Sequence, residues 1–389
     1  MKRIRIGVIG AGGIAQVEHI PNLRRLSDRF DLVGVADPSA TARDFIATRY
    51  GIKTYEKAEQ LFDQSLDAVL VASPDALHKE HVLGGLSRGL HVFCEKPLCY
   101  APSDIAGLIA ARDASGKVLQ VGYMKRFDPS FEAALALMPG TAETLRHISV
   151  EVNDPDAWPF VRHHDTVAPG GDVPEALISS VREKQREQVK RAVGVDLDAL
   201  SYRGYTGAYC SSLVHDVNAV HGLLEKLGIA DGEVTGAQLY AGGDGGNGTV
   251  RLLGGQALWT MTHLTVPKLP YYRERITLYF DDASLELEFP SPYLNHQPTQ
   301  LTIRTGDGAE LHTRDVRKGY EEAFIEELKG FWSSIVEGKP VRNTPEHAKR
   351  DMALLAKLAR WQARIPLLQF NQESNLESSH RHQPHHVDQ

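Results

Sequence analysis

The chain has 389 residues, 42% of them hydrophobic, and a net charge of −7. This length favours two domains and the composition is typical of a soluble globular protein. No apolar run is long enough to span a membrane, and an acidic chain without a basic stripe argues against a nucleic-acid partner. Three cysteines cannot form a disulfide framework, so we expect a reducing compartment, the cytoplasm.

The N-terminal part alternates short apolar runs with helical patterns. The runs predict buried strands at residues 3–10, 32–37, 67–73, 91–97 and 118–123, with helices at residues 15–26, 39–50, 77–87 and 103–113 between them. Such alternation builds a doubly wound parallel sheet with right-handed crossovers. We therefore predict an α/β fold whose first domain comprises residues 1–124. A first strand explains the N-terminal run better than a signal peptide, because the run is short and ends in glycines.

The pattern changes in the second part, for which we predict an α+β domain at residues 125–365. Alternating runs predict a mostly antiparallel open sheet, with strands at residues 146–152, 235–241, 249–253, 257–266, 275–280, 284–289 and 300–304. Helices are predicted at residues 213–227, 323–338 and 346–364. The His-rich tail, residues 366–389, has few apolar residues and is predicted to be disordered.

A polar insertion at about residues 154–206 interrupts this second domain. Its residues 175–194 have apolar positions at roughly helical spacing, which predicts an amphipathic helix. The helix could pack beside a binding site as a lid. A surface excursion or an oligomer contact explains the same pattern, and the sequence leaves both interpretations open.

A glycine-rich turn follows the first strand. Its residues, which fit the pattern G-x-G-x-x-G/A, are Gly10, Gly12, Gly13, Ile14 and Ala15. Such a turn brings a pyrophosphate close to the backbone and to the N-terminus of the next helix.

The second strand ends in Asp37, where a carboxylate can accept hydrogen bonds from the adenosine ribose and repel a 2′-phosphate. The turn and the acid together predict NAD, with NADP less favoured. The alternative is a plain turn followed by a helix-capping Asp37.

Charged residues end the fifth predicted strand, where Glu95 and Lys96 precede Pro97. Carboxyl ends of parallel strands line the ligand crevice of such sheets, so both side chains are predicted to face it. A lysine there can hydrogen-bond a ribose or a substrate hydroxyl and lower the pKa of a group that loses a proton.

Four segments in order, residues 10–15, 73–81, 95–97 and 121–131, resemble the Gfo/Idh/MocA family of sugar and polyol dehydrogenases. The resemblance covers the chain up to about residue 362. It implies an NAD-binding Rossmann domain, an open-faced sheet domain, a sugar or polyol substrate between them, and a homodimer or homotetramer built through the sheets.

The resemblance also implies roles for individual residues. Lys96 corresponds to the active-site lysine and Glu95 to its neighbour on the cofactor ribose. Ser73 and Pro74 would line the nicotinamide side, and His78 would bind cofactor. Tyr123 and Arg126 would lie near the substrate or at the domain junction. A structural role explains His78, Tyr123 and Arg126 equally well.

A proton acceptor is expected from the family pattern D-x-x-x-H-x-x-D. Here His215 holds the histidine position, whereas Ser211 and Asn218 replace the two acids. We predict His215 as the base with Lys96 as its partner, and Ser211 and Asn218 as substrate contacts. His221 is predicted to be structural.

Polar and aromatic side chains after the first strand of the second domain, beginning with Asp154, are further candidates to fill the pocket. Trp158 could stack on a sugar face. The pair His163 and His164 with Asp165 could suggest a metal, but adjacent histidines rarely share one ion, so no metal is predicted.

These residues predict an NAD-dependent oxidoreductase that acts on a secondary hydroxyl of a sugar, glycoside or cyclitol. Two alternatives remain open. One is redox-neutral cleavage of a glycoside through a transient keto-sugar. The other is a non-catalytic nucleotide-sensing regulator on the same fold.

Overall fold

The computed structural model describes residues 2–155, 157–168, 171–240 and 242–364, without the side chains of Trp158 and residues 362–364. The predicted disordered tail, residues 366–389, lies outside the described residues. None of the described helices is long and apolar enough to cross a membrane.

The N-terminal part forms a six-stranded parallel sheet in the order β3-β2-β1-β4-β5-β6. Its strands are β1 Ile4–Ile9, β2 Phe30–Ala36, β3 Thr54–Tyr55, β4 Ala68–Val71, β5 His91–Glu95 and β6 Leu119–Gly122. The continuous apolar runs are buried because helices cover both faces of the sheet. The predicted doubly wound sheet is confirmed, with β3 as an additional short strand.

The connecting helices begin at the carboxyl ends of the strands. They are α1 Ile20–Arg25, preceded by a π-helical turn Ala15–His19, then α2 Ala40–Tyr50, α3 Ala58–Phe62, α4 His78–Ser87 and α5 Pro102–Ser115. Ser39 caps α2, since its hydroxyl accepts a hydrogen bond from the Ala42 N–H.

The second part forms an eight-stranded sheet in the order β14-β13-β12-β11-β7-β10-β9-β8, in which only the pairing of β7 with β10 is parallel among the described strands. Its strands are β7 Leu145–Asp154, β8 Glu233–Leu239, β9 Gly245–Leu252, β10 Ala257–Thr265, β11 Arg273–Phe280, β12 Ala283–Phe289, β13 Gln300–Gly306 and β14 Leu311–Val316. The predicted mostly antiparallel sheet is confirmed.

The remaining helices lie in the second part of the chain. They are α6 Pro129–Ala136, α7 Trp158–Val161, α8 Glu175–Val193, α9 Ala199–Arg203, α10 Val214–Leu227, α11 Ala323–Val336 and α12 Pro345–Arg364. A π-helical segment, Gly204–Leu213, leads into α10. The predicted amphipathic helix of the insertion is present as α8. One hydrophobic core runs continuously from Val92 in the first sheet to Val150 in the second, so the two parts of the chain share a core.

Candidate active site

A cavity of about 290 Å³ lies between the carboxyl ends of β4 and β5 and the second sheet. Its polar lining side chains are Ser73, Asp75, His78, Glu95, Lys96, Lys125, Asp154, Ser211, Ser212, His215, Tyr272, Glu274, Ser291 and Tyr293. Both parts of the chain therefore contribute to one polar cleft, at the sheet edge where doubly wound folds bind ligands.

The glycine turn has room for a ligand on its outer side. Gly10 has a φ of +100°, and a Cβ built there would lie 2.3 Å from the Ala72 carbonyl oxygen, so only glycine fits. A Cβ built on Gly12 or Gly13 meets no atom within 4 Å in the described part of the chain. The structure thus leaves open the backbone where a pyrophosphate would approach, which fits a dinucleotide.

Asp37 closes this turn from the end of β2. Its carboxylate accepts hydrogen bonds from the backbone N–H groups of Ala11 at 2.7 Å and Ser39 at 2.8 Å. Each carboxylate oxygen retains a further lone pair. Asp37 therefore fixes the two loops on either side of the ribose position and can still accept a hydroxyl hydrogen bond.

Glu95 is almost fully buried and bound to a residue that the sequence analysis did not identify. Its Oε1 lies 2.6 Å from Nε2 of His19, and its Oε2 accepts the Lys96 N–H at 3.1 Å. Burial acts to raise the pKa of Glu95, but the hydrogen bond and charge of His19, with Lys96, lower it overall. The hydrogen bond with His19 thus fixes the position of the Glu95 carboxylate. The predicted contact of Glu95 with a cofactor ribose stays a prediction.

Lys96 connects the two parts of the chain across the cleft. Its Nζ donates a hydrogen bond to the Ser211 carbonyl oxygen at 2.7 Å, and its peptide bond with Pro97 is cis. Lys96 thereby reaches the segment that carries His215 four residues later.

His78 holds the loops that flank the cleft. Its two ring nitrogens lie 2.8 Å from the carbonyl oxygens of Pro97 and Ser73. The Ser73 hydroxyl in turn lies 2.8 Å from Nδ1 of His81. Because both ring nitrogens of His78 contact backbone, the geometry favours the structural interpretation of this residue over direct cofactor binding.

His215 lies in the first turn of α10 and lines the cleft. Its Nδ1 is buried without a hydrogen-bond partner among the described residues, and its ring packs edge-on against Tyr123 at 6.3 Å between centroids. Burial, and then the positive charges of Lys96 and Lys125, hold the pKa of His215 well below its usual value. The imidazole is therefore neutral at neutral pH and able to accept a proton.

A buried ion cluster forms the floor of the cleft. The Lys125 ammonium contacts Asp216 at 2.9 Å and also contacts Glu274, whose other oxygen accepts the Tyr272 hydroxyl at 2.8 Å. Burial acts to lower the pKa of Lys125, but the two carboxylates raise it overall. Burial and the nearby Glu274 raise the pKa of Asp216 well above its usual value.

Asp154 ends β7, the central strand of the second sheet, beside this cluster. Burial, followed by the charge of Glu274, raises its pKa to about 6, against the opposing effect of a hydrogen bond from Ser212. Its Oδ2 lies 3.9 Å from Nε2 of His263, whose pKa burial lowers to about 4. Asp154 is a carboxyl that changes charge near neutral pH inside the cleft.

Several residues predicted to contact substrate lie elsewhere. Tyr123, Arg126 and Asn218 are buried and do not line the cavity. Arg126 donates to the Asn218 carbonyl oxygen at 3.0 Å and to Glu225, while the Asn218 amide donates to Asp351 at 2.8 Å. Internal partners and packing therefore hold these three side chains away from the cavity lining, and their predicted contact with substrate stays a prediction.

The other residues singled out from the sequence lie at different distances from the cavity. Ser211 lines the cavity as predicted, whereas the side chain of Trp158 lies outside the described residues. Pro74 caps a short 3₁₀ turn next to the cavity. His221 is buried and hydrogen-bonded to Asp351 at 2.5 Å, which confirms its predicted structural role.

The insertion helix α8 packs against the cleft wall. Gln185 donates to the Tyr100 hydroxyl at 2.7 Å, and that hydroxyl donates to Asp75 of the cavity lining at 2.8 Å. Gln188 donates to the Ala76 carbonyl oxygen at 2.8 Å. The helix thus supports the loop after β4.

In the described ranges, no group of three or more His, Cys, Asp or Glu side chains is placed to hold a metal ion.

One protein-family model matches the part of the chain that forms the first sheet. Residues 4–123 match the model GFO_IDH_MocA, described as an oxidoreductase family with an NAD-binding Rossmann fold.

Curated relatives match over the same region. Inositol 2-dehydrogenase 3 of Saccharopolyspora erythraea is 38% identical over 130 residues, which are 33% of this chain and 38% of the relative. The rhizopine catabolism protein MocA of Rhizobium meliloti is 38% identical over 134 residues, which are 34% of this chain and 41% of the relative. The chain thus spans about two fifths of the length of these relatives.

Solved structures match nearly the whole chain. KijD10, a 3-ketoreductase from Actinomadura kijaniata in complex with NADP, has a TM-score of 0.68 at 18% identity and covers 92% of this chain and 98% of its own. The UDP-N-acetylglucosamine 3-dehydrogenase GnnA from Acidithiobacillus ferrooxidans has a TM-score of 0.65 at 18% identity and covers 93% and 99%. At this identity the similarity establishes the fold of both parts.

Proposed function

Because the chain belongs, through residues 4–123, to the Gfo/Idh/MocA oxidoreductases, we propose that it is an NAD-dependent dehydrogenase. Its substrate is a sugar, glycoside or cyclitol with a secondary hydroxyl. The observation that carries this proposal is the convergence of Lys96 and His215 on one cleft, at the strand ends beside the open glycine turn. When bound, a nicotinamide would supply the hydride acceptor at its C4.

The chain's own residues handle the proton of the substrate hydroxyl. His215 is neutral and lines the cleft, so it serves as the general base. Lys96 presents an ammonium to the same cleft, where it stabilises developing negative charge on the substrate oxygen. Asp154, once ionised, stabilises the imidazolium that forms on His215.

The size and polarity of the cleft support a small polyhydroxylated substrate. A volume of about 290 Å³ is at the lower end for ligand pockets, and most of the polar lining comes from charged or hydroxyl side chains. Relatives named inositol 2-dehydrogenases support the same substrate class. We place NAD ahead of NADP because of the Asp37 carboxylate.

We further propose that the protein is a homo-oligomer whose contact is the outer face of the second sheet. This face carries Tyr279 and Leu258, which are 46% and 43% exposed, and the Glu151–Arg275 ion pair between β7 and β11. An exposed, mixed apolar and charged sheet face is suited to a self-complementary contact.

Absorbance at the NADH wavelength tests the proposed reaction. Purified protein is incubated with NAD and a panel of inositols, aldoses and glycosides, with NADP as the cofactor control. We expect absorbance to rise with one substrate class. A flat trace with every compound, from protein shown to bind NAD, would contradict a dehydrogenase, and release of an aglycone would then indicate redox-neutral cleavage.

A further inference from the structure

Part of the insertion crosses the first sheet at its carboxyl edge. We call residues 165–168 and 171–172 the crossing segment. Arg49, in the last turn of α2, donates to the Asp165 carboxylate at 2.5 Å. Val167 exchanges two backbone hydrogen bonds with the Gln16 amide at 2.9 and 3.0 Å. The crossing segment thus runs from the end of α2, past the helix after the glycine turn, towards the start of α2.

The crossing segment ends with a carboxylate at the start of α2. One oxygen of Asp172 accepts a hydrogen bond from the Ser39 hydroxyl at 2.7 Å, and the other accepts the Thr41 N–H at 2.8 Å. The Ser39 hydrogen bond, and then that of Thr41, lower the pKa of Asp172 to about 2, so it is ionised at neutral pH.

Two carboxylates therefore meet at one residue. Asp37 accepts the backbone N–H of Ser39, while Asp172 accepts its hydroxyl. The nearby cation, Arg43, donates instead to the carbonyl oxygens of Asp37 and Pro38 at 2.7 and 2.9 Å. Among the described residues, the groups that donate to Asp172 are the Ser39 hydroxyl and the Thr41 N–H, both of which are neutral.

This position determines which dinucleotide fits. In Rossmann folds, the acid at the end of the second strand lies beside the 2′ position of the adenosine ribose. A 2′-phosphate held there needs hydrogen-bond donors and a cation, and the N-terminus of the following helix is the natural source of such donors. Here Asp172 already occupies the Ser39 hydroxyl and the Thr41 N–H, and it adds a second negative charge to that of Asp37.

We propose that Asp172 is a specificity-determining residue that excludes the 2′-phosphate of NADP. The insertion thereby adds to the discrimination between NAD and NADP that Asp37, at the end of β2, would otherwise provide alone. This inference rests on the proposed function, because it concerns the cofactor of that same site.

The test measures dissociation constants for NAD and NADP with the full-length protein and three variants. Asp172→Asn keeps the shape and removes the charge, and Asp172→Ala removes both. Asp165→Asn is the matched control, because it weakens the attachment of the crossing segment to Arg49 without changing the charge beside the ribose. We expect both Asp172 variants to raise the ratio of NADP affinity to NAD affinity by roughly tenfold, and Asp165→Asn to leave it unchanged.

The outcomes separate the inference from the proposed function. NAD binding by the wild-type protein, with the same NADP-to-NAD ratio in both Asp172 variants, would overturn the inference alone. An equal change of the ratio in Asp165→Asn would also overturn it, because the attachment rather than the carboxylate would then set specificity. Wild-type protein that binds neither dinucleotide would overturn the proposed function, and the inference with it.

Discussion

At the scale of single residues, the environment of a side chain decides its role in the cleft. Asp154 and Asp75 both line the cavity, but they differ in their surroundings. Asp75 accepts a hydrogen bond from Tyr100, whereas burial raises the pKa of Asp154 to about 6. Asp154 is therefore the acid whose charge changes near neutral pH, and it lines the same cavity as the proposed base His215.

Asp154→Asn should remove the rise near pH 6 from the pH profile of kcat/KM. In the wild-type protein, Asp154 gains its negative charge as the pH rises through about 6, and we propose that this charge stabilises the imidazolium that forms on His215. We expect kcat/KM for substrate oxidation to rise across this range in the wild type and not in Asp154→Asn, which should be roughly ten- to a hundredfold slower at pH 8.

The control is Asp75→Asn, which should keep the rise near pH 6. Steady-state rates at a series of pH values are the measurement. If Asp154→Asn keeps the same rise at the same rate, Asp154 has no part in proton transfer.

The sequence predicts some cleft residues better than others. Lys96 follows a buried strand and His215 occupies a recognisable family position, so both could be identified from local pattern. Lys125 and Glu274 are 149 residues apart, and no local pattern joins them. The same holds for His19 and Glu95, which are 76 residues apart and meet only through the sheet topology.

At the scale of elements, helix α11 packs on the first sheet and places a buried acid, Glu327, between the two. Glu327 is fully buried, and neither carboxylate oxygen has a hydrogen-bond partner among the described residues. Burial, and then the charges of Glu95 and Glu18, raise the pKa of Glu327 well above its usual value. The folded protein therefore retains a proton that the unfolded chain loses.

Glu327→Gln should change the pH dependence of stability. Because the pKa of Glu327 is raised in the folded state, its stabilising contribution is complete below the unfolded value and is lost as the pH rises. We expect Glu327→Gln to resemble the wild type near pH 5 and to exceed it in free energy of unfolding by about 1–3 kcal/mol near pH 9.

Thermal unfolding followed by circular dichroism at several pH values measures this difference. Glu326→Gln, on the same helix but paired with Lys329 at 2.5 Å, is the control and should show no growing advantage with pH. An equal Tm difference for Glu327→Gln at every pH would contradict the raised pKa.

Strand prediction depends on how strongly each element is buried. The long apolar runs of β1, β4 and β5 are covered on both faces, so the sequence identifies them directly. β3 has only two residues, and β14 is an exposed edge strand without apolar alternation. Their pairing depends on neighbouring strands, which local sequence does not encode.

At the scale of the whole molecule, the second sheet has one covered face and one open face. Helices and the apolar core cover the inner residues, such as Ile276 and Leu278, while Tyr279 points outward and stacks on His147. The alternation of buried and open positions could be read from the sequence. Whether a second copy covers the open face could not be read from the sequence, because a contact between copies produces no periodic pattern of its own.

Tyr279→Lys should weaken the proposed contact between copies. A lysine there places charge in the middle of the open face, which disfavours burial. Light scattering coupled to size exclusion measures the mass in solution, and we expect a dimer or larger species for the wild type and a monomer for Tyr279→Lys. Tyr320→Lys, which changes another exposed tyrosine outside the sheet, should not alter the mass. A monomeric wild type would contradict the proposal.

Lys96 lines the same cleft as His215, and we propose that it takes part in the chemistry and not only in binding. The most direct measurement compares turnover and NAD affinity of Lys96→Ala with those of the wild type, using Lys57→Ala as the exposed-lysine control. We predict that Lys96→Ala binds NAD with similar affinity while its kcat falls by about 10²–10⁴-fold. Near-normal turnover in Lys96→Ala would contradict the account.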